Sequence, residues 1–466
     1  MAEAEAGRSP ELKKKLSWIA LLYFAEGFPF GIVYEVLPVY FRVHGVDLKS
    51  VGLLALLRIP YTLKPTWAPL VDRFGARQHW VSAALVGMAA VILGLLLFDP
   101  SKASWGLWVL LLLFVALSAT QDLAIDAYAV DVATPRDSGP INGTRAAAYR
   151  VALIASGGGL LILADKTPLG WPGSWAVTAG LLVLLAVAAF ASPRVPRGVP
   201  AAGELASDTV VESPFSRRGL ATFRLAAGLL TVLAVAVAAD RGWPALWITL
   251  AVLPATALVL SLLNPATLRW AFRREMLPVV LFGLLYKVGD NSLGQMVKPF
   301  WVDRHYSPTE IGFVSVTLGS WLSALGAVAG GLYIKRRGIF RSLLWFGLGQ
   351  LVSNLGYVAV AAFTLPRESI YVASLIESLT QGLGTAAFLS FLMNLCDKES
   401  AATQFAMLSA TFSLSRDIAG ALSGIGVETL GYTGFFLLTT LAAVPGLLLL
   451  PAIKKRIRDP EPQLAS

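Results

Sequence analysis

Apolar runs of about 20 residues, the length that crosses about 30 Å of hydrocarbon, follow one another along most of the chain and are separated by short polar breaks. The pattern predicts spans at 16–41, 50–71, 79–98, 105–127, 141–164 and 174–191. A stretch rich in Pro, Arg, Ser and Glu, 192–217, then interrupts the series as a linker. Two further runs, 221–239 and 244–263, are parted only by Asp240-Arg241-Gly242 and predict a hairpin. Six more follow at 276–300, 308–334, 340–364, 369–395, 402–427 and 432–453. The expected architecture is an all-α polytopic membrane protein of fourteen spans. A six-helix bundle occupies 1–191, a linker with an inserted hairpin (about 221–263) occupies 192–275, a second six-helix bundle occupies 276–453, and a tail occupies 454–466.

Composition supports the reading. Hydrophobic residues make up 56% of the chain and charged residues only 14%, against about a quarter charged in ordinary soluble domains. The basic pI near 9.6 reflects Lys and Arg gathered in the loops of one side, including Arg73, Arg77, Arg217, Arg218, Arg273, Arg274, Lys335, Arg336, Arg337, Lys454 and Lys455. The positive-inside rule then places both termini in the cytoplasm, and nucleic acid is not needed to explain the charge. Lys13-Lys14-Lys15 runs directly into a full-length span, which predicts a signal anchor rather than a cleaved leader. A single cysteine, Cys396, permits no internal disulfide, no Cys/His cluster suggests a metal, and no nucleotide-hydrolysis motif suggests a pump. His44, His79 and His305 all sit at span ends, so no clustered nucleophile and base predict an enzyme.

Two loops at matching places of the halves echo each other. The first is Ala68-Pro69-Leu70-Val71-Asp72-Arg73-Phe74-Gly75-Ala76-Arg77, and the second is Gly330-Gly331-Leu332-Tyr333-Ile334-Lys335-Arg336-Arg337-Gly338. Both resemble the short loop signature of major facilitators, the first without its leading glycine and the second without its acid. Asp72, Arg73, Arg77, Arg336 and Arg337 are therefore candidates for a conformational gate that makes ion pairs in one state and releases them in another. An ordinary positive-inside loop is the plainer alternative.

Charged side chains inside spans are costly and mark function by default. Counting 1.5 Å per residue places Glu26, Arg58, Arg150, Lys287 and Glu377 near the midplane, with Asp290 one turn from Lys287 on the same face. These six are the candidates for solute binding or proton coupling. A second polar network is expected toward the cytoplasmic side: Lys64, Gln121, Asp122 and Asp126, the two aspartates four apart on one helix face. Lys64–Asp122 and Lys287–Asp290 are equally readable as structural pairs that set helix register. Gly27-Phe28-Pro29-Phe30-Gly31 is expected to break the first span just after Glu26. Gly157-Gly158-Gly159 and Gly382-Leu383-Gly384 are expected to admit close helix approach. Charges of both signs suggest a polar cavity for a zwitterionic or anionic small molecule, in which a buried acid such as Glu26 or Asp290 can alternate between protonated and paired forms; no other cofactor is expected.

The chain resembles the AmpG-type muropeptide permeases and the related acetyl-CoA transporters, a branch of the major facilitators. The resemblance is carried by Leu63-Lys64-Pro65-Thr66-Trp67-Ala68-Pro69-Leu70-Val71-Asp72-Arg73, Ser118-Ala119-Thr120-Gln121-Asp122 with Asp126, and Tyr149-Arg150. In the second half it is carried by Leu285-Tyr286-Lys287-Val288-Gly289-Asp290 and Gln404-Phe405-Ala406-Met407-Leu408-Ser409-Ala410. It implies a secondary transporter in the bilayer of a bacterial inner membrane that takes N-acetylglucosaminyl-anhydromuramyl peptides from periplasm to cytoplasm with protons, by alternating access; a monomer is expected. A siderophore or CoA-type anion, or drug-type export, are the alternatives. The chain departs from the pattern in carrying its extra spans between the halves.

Overall fold

The computed structural model describes residues 10–64, 67–102, 104–132, 138–194, 276–395, 401–454 and 457. The expected hairpin at 221–263, most of the linker and most of the tail lie outside the described residues. Among those residues the regular structure is helical, and nine helices are long and apolar enough to cross a membrane.

The described residues fall into two compact units, one within Met1–Val36, Leu63–Asp99 and Ser104–Val237, the other within Leu37–Thr62, Pro100–Ala103 and Ala238–Ser466. In the first unit α1 (Pro10–Gly31) runs into a π-helical turn, Ile32–Val36. Then come α5 (Ala68–Arg73), α6 (Arg77–Leu95), α7 (Trp105–Val132) and α8 (Ser138–Leu153), the π-helical turn Ile154–Gly159, α9 (Leu160–Lys166) and α10 (Gly170–Phe190). Helix α6 packs between α7 and α10, and α1 packs along α8 with α7 at its side. The expected break in the first span does not occur: the helix continues through Pro29. Proline removes one backbone hydrogen bond, and the wider π turn three residues later takes up the misfit. The glycines beside Pro29 serve packing instead. A Cβ on Gly27 would stand 2.9 Å from Ala152 Cβ and from the Tyr149 carbonyl, and one on Gly31 would collide with Ser156 Oγ, so only glycine lets α1 lie this close to α8.

The second unit begins with α2 (Leu37–Val43), α3 (Leu48–Leu53), a 3₁₀ stretch Leu54–Arg58 and α4 (Ile59–Leu63). The expected span 50–71 is thus a string of short helical pieces rather than one rod, because the hydrogen-bond register tightens at Leu54–Arg58. It continues with α11 (Leu277–Tyr286) and α12 (Val288–Asp303), which divide the expected span 276–300 at Lys287. Short α13 (Pro308–Glu310) leads through π-helical Ile311–Leu318 into α14 (Gly319–Arg337), followed by α15 (Ile339–Ala362) and α16 (Ser369–Leu395). The expected span 402–427 is the part of α17 (Ala401–Ala442) before its kink at Gly431 (φ 67°), and the expected span 432–453 is the part after the kink together with α18 (Val444–Ile453). A positive φ of that size is open to glycine at little cost.

Packing in the second unit is tight where small residues meet. A Cβ on Gly382 of α16 would collide with the Ser323 carbonyl of α14, and one on Gly326 of α14 with the Leu379 carbonyl of α16. Helix α3 lies against α17, and α12 against both α17 and α2. Charge-assisted bonds fasten the α2 side: Arg42 donates Nε and Nη2 to Asp303 at 2.5 and 2.8 Å, Tyr432 donates to Asp303 at 2.7 Å, and Lys49 pairs with Glu428 at 2.6 Å. An aromatic and aliphatic core of Phe282, Tyr286, Leu343, Phe388, Phe391 and Leu450 ties α11, α15, α16 and α18 together.

Candidate functional site

Most of the candidate charges form small networks, each inside one unit. The largest lies in the first unit, where α1, α7 and α8 meet. Carboxylate oxygens of Glu26, Asp122 and Asp126 all stand within 4.8 Å of one another. Asp122 and Asp126 are one turn apart on α7, as the sequence spacing requires, and Glu26 reaches them from α1. Lys64 forms an ion pair with Asp122. Tyr23, three residues before Glu26, donates its hydroxyl to Asp126 Oδ1 at 2.7 Å, and Arg145 of α8 donates Nη2 to the same oxygen at 2.8 Å. The Arg145 guanidinium also lies 4.4 Å from the Tyr23 ring centroid, a cation–π contact.

The sum is three carboxylates against two cations. Asp126 has two donors and Asp122 has an ammonium partner, while Glu26 Oε2 is sealed from solvent and receives no hydrogen bond. Two unit charges 4.8 Å apart repel by about 3.5 kcal/mol at an effective dielectric near 20. Exposure rises across the cluster, from a largely buried Lys64 side chain to Arg145 and Asp126 at 39% and 45%. The expected separation of a midplane Glu26 from a network at Lys64, Asp122 and Asp126 is therefore corrected: they are one cluster. Counting rise along an axis gives depth, but the direction a side chain faces comes from the packing of α1 on α8. Gln121, beside Asp122, is fully buried with neither amide atom hydrogen-bonded.

The gate candidates of the first loop are also tied within this unit. Arg77 pairs with Asp72 at 2.8 Å and with Asp131 at 3.3 Å, and donates to the Val71 carbonyl at 3.0 Å. Arg73 is exposed near this knot, and Arg336 and Arg337 are exposed in the last turn of α14.

The second unit holds a different arrangement. Lys287 sits between α11 and α12 at φ −107°, ψ 0°, and its ammonium donates to Asp290 Oδ2 at 3.1 Å. Asn354 of α15 donates to the other carboxylate oxygen at 3.2 Å. Exposure is 3% for Lys287, 7% for Asp290 and 1% for Asn354, so the triad is dry and its acid is met on both oxygens. Arg58, at the end of the 3₁₀ stretch, faces Asp417 of α17 at 3.7 Å, with Arg416 Nε 3.8 Å from the same oxygen. Arg150 of α8 and Glu377 of α16 are half-buried within their helices.

Tyr23, Arg145, Asn354 and Asp417 are absent from the sequence-derived set. Tyr23 carried a usable signal, since it lies on the face of Glu26 at i−3. Arg145 was legible only as a charge at the start of a span, and neutral Asn354 gave none.

Comparison with known proteins gives a consistent picture. The family model described as Major Facilitator Superfamily matches residues 19–289. The anhydromuropeptide permease of Escherichia coli K12 is 30% identical over 439 residues, 93% of this chain and 78% of that protein. The putative transporter AmpG 4 of Rickettsia conorii is 25% identical over 452 residues, covering 95% and 97%. Among solved structures, the peptide transporter POT in complex with sulfate matches with TM-score 0.69 at 15% identity, covering 95% of this chain and 94% of that one. A bacterial homolog of the human lysosomal transporter Spinster matches with TM-score 0.67 at 14% identity, covering 97% and 100%. The likeness to these structures is one of fold.

Proposed function

The chain belongs to the major facilitator superfamily, in its AmpG-type branch, and from that premise we propose that it imports anhydromuropeptides into the cytoplasm in symport with protons. It is a multi-pass membrane transporter, not an enzyme. The observation that carries the choice of solute is the 30% identity to an anhydromuropeptide permease over 93% of the chain. The charge inventory is compatible with it. Such a solute is a sugar-peptide with carboxylates and an amine, and both signs of charge occur inside the spans of this chain. The basic loops favour an inner-membrane protein with both termini in the cytoplasm. The Asp72–Arg77–Asp131 knot is of the kind that releases when helices rock, and we assign it to gating.

Reconstituted protein tests the solute. Preloaded, unlabelled N-acetylglucosaminyl-anhydromuramyl peptide is expected to drive counterflow of the labelled compound, and the same compound is expected to raise the melting temperature of the detergent-solubilised protein by mass action. Stabilisation and counterflow with a siderophore or a CoA ester, and none with the muropeptide, would move the assignment to that solute.

A further inference from the structure

The cluster around Glu26 is short of one positive charge, and the shortfall falls on one atom. Glu26, Asp122 and Asp126 bring three carboxylates within 4.8 Å of each other. Lys64 attends Asp122; Arg145 and the Tyr23 hydroxyl attend Asp126. These are the charged and titratable groups facing Glu26 from α1, the 63–64 turn, α7 and α8. Glu26 Oε2 is buried and accepts no hydrogen bond. A buried polar atom left unmet is costly and calls for an explanation. A divalent metal is a poor answer, because a lysine and an arginine already stand among the three carboxylates and would repel it. A proton answers it without adding a cation to that crowd.

We propose that Glu26 carries the coupling proton, and that Lys64 is the positioning residue that makes the site reversible. The inference rests on the proton-symport reading above and gives it a location. Protonation forms an O–H bond on the Glu26 carboxylate and leaves two carboxylates facing two cations. Deprotonation breaks that bond, returns the proton to water, and leaves the Lys64 ammonium shared between Asp122 and Glu26. The more exposed Asp126–Arg145 end supplies the route between Glu26 and water. Solute binding and proton binding are then linked, so each raises the affinity for the other.

The test uses full-length protein in proteoliposomes with a trapped pH-sensitive dye and labelled anhydromuropeptide. Wild-type protein is expected to accumulate the solute under an acid-outside gradient and to acidify the lumen as it does so. Glu26→Gln is expected to lose gradient-driven accumulation by about tenfold or more and to lose solute-linked acidification, while still exchanging solute across the membrane. Glu26→Asp is expected to keep some acidification with a shifted pH profile, which separates loss of the titrating group from loss of fold. Driven uptake by Glu26→Gln equal to wild type overturns this inference alone. So does loss of exchange in both variants, which would make Glu26 structural. Absence of proton-linked uptake by the wild type, or uptake driven by a sodium gradient instead, overturns the symport reading and this inference with it.

Discussion

The Glu26 cluster of the first unit and the Lys287–Asp290–Asn354 triad of the second are both built from charges inside membrane-spanning helices, yet they solve opposite problems. In the triad one acid meets one base and one amide, both carboxylate oxygens are used, and no member is more than 7% exposed. In the Glu26 cluster three acids share two cations, one oxygen is unmet, and one end is open. A balanced, dry triad has no spare state to move into, so its role is to fix α12 against α15 beside the break at Lys287. An unbalanced cluster with an exposed edge has two states close in free energy. Charge inside a membrane is therefore not in itself the mark of a working site; unmet charge beside a route to water is.

The contrast is open to attack at several points. The largest effect is expected from Asp290→Ala, which strands the Lys287 ammonium in a dry site. Removing one partner of such a pair costs about 3–5 kcal/mol, read as a lower melting temperature and a poorer yield of folded protein. The double variant Lys287→Met with Asp290→Leu is expected to recover a large part of that loss. Failure to recover would mean the triad does more than hold helices. Asp417→Ala comes next: Arg58 and Arg416 lose a buried counter-charge, at about 2–3 kcal/mol because Arg58 keeps some access to solvent. Gly382→Ala is expected to cost about 1–3 kcal/mol by pushing α16 off α14, without changing the pH dependence of transport. Arg145→Gln should be mildest for stability, about 1 kcal/mol or less, since that pair is well exposed. Its larger consequence is expected in the pH profile of uptake, which a purely structural arginine would leave unmoved.

Much of the fold could be read from hydropathy alone. The apolar runs at 79–98, 105–127, 174–191, 340–364 and 369–395 reappear as helices with ends shifted by a few residues. Irregularities were not legible, because a π turn at Ile32–Val36 or a 3₁₀ stretch at Leu54–Arg58 changes hydrogen-bond register without changing composition. Pro29 is the instructive case. It looked like a break, and the helix absorbed it with a bulge. The Lys287–Asp290 pair could be proposed from its i,i+3 spacing, which local helix geometry brings together, and Lys64–Asp122 from the order of the spans that carry them. The joining of Glu26 to Asp122 and Asp126 could not. It depends on how α1 is rotated against α7 and α8, which the close contacts of Gly27 and Gly31 help set. Arg58–Asp417 joins positions far apart in sequence through the packing of the α3 segment on α17, which no single-span pattern records.

The division of labour between the two charge networks is tested most directly by one thermal denaturation series on wild type, Glu26→Gln and Asp290→Asn in the same detergent. Both substitutions swap a carboxylate for its neutral isostere. Asp290→Asn is expected to lower the melting temperature by about 5 °C or more, because it leaves Lys287 charged and unmatched. Glu26→Gln is expected to leave it unchanged or raise it, because it neutralises one of three crowded carboxylates, the one whose Oε2 accepts no hydrogen bond. A Glu26→Gln protein that melts as low as Asp290→Asn, or an Asp290→Asn protein that melts like wild type, would contradict the account.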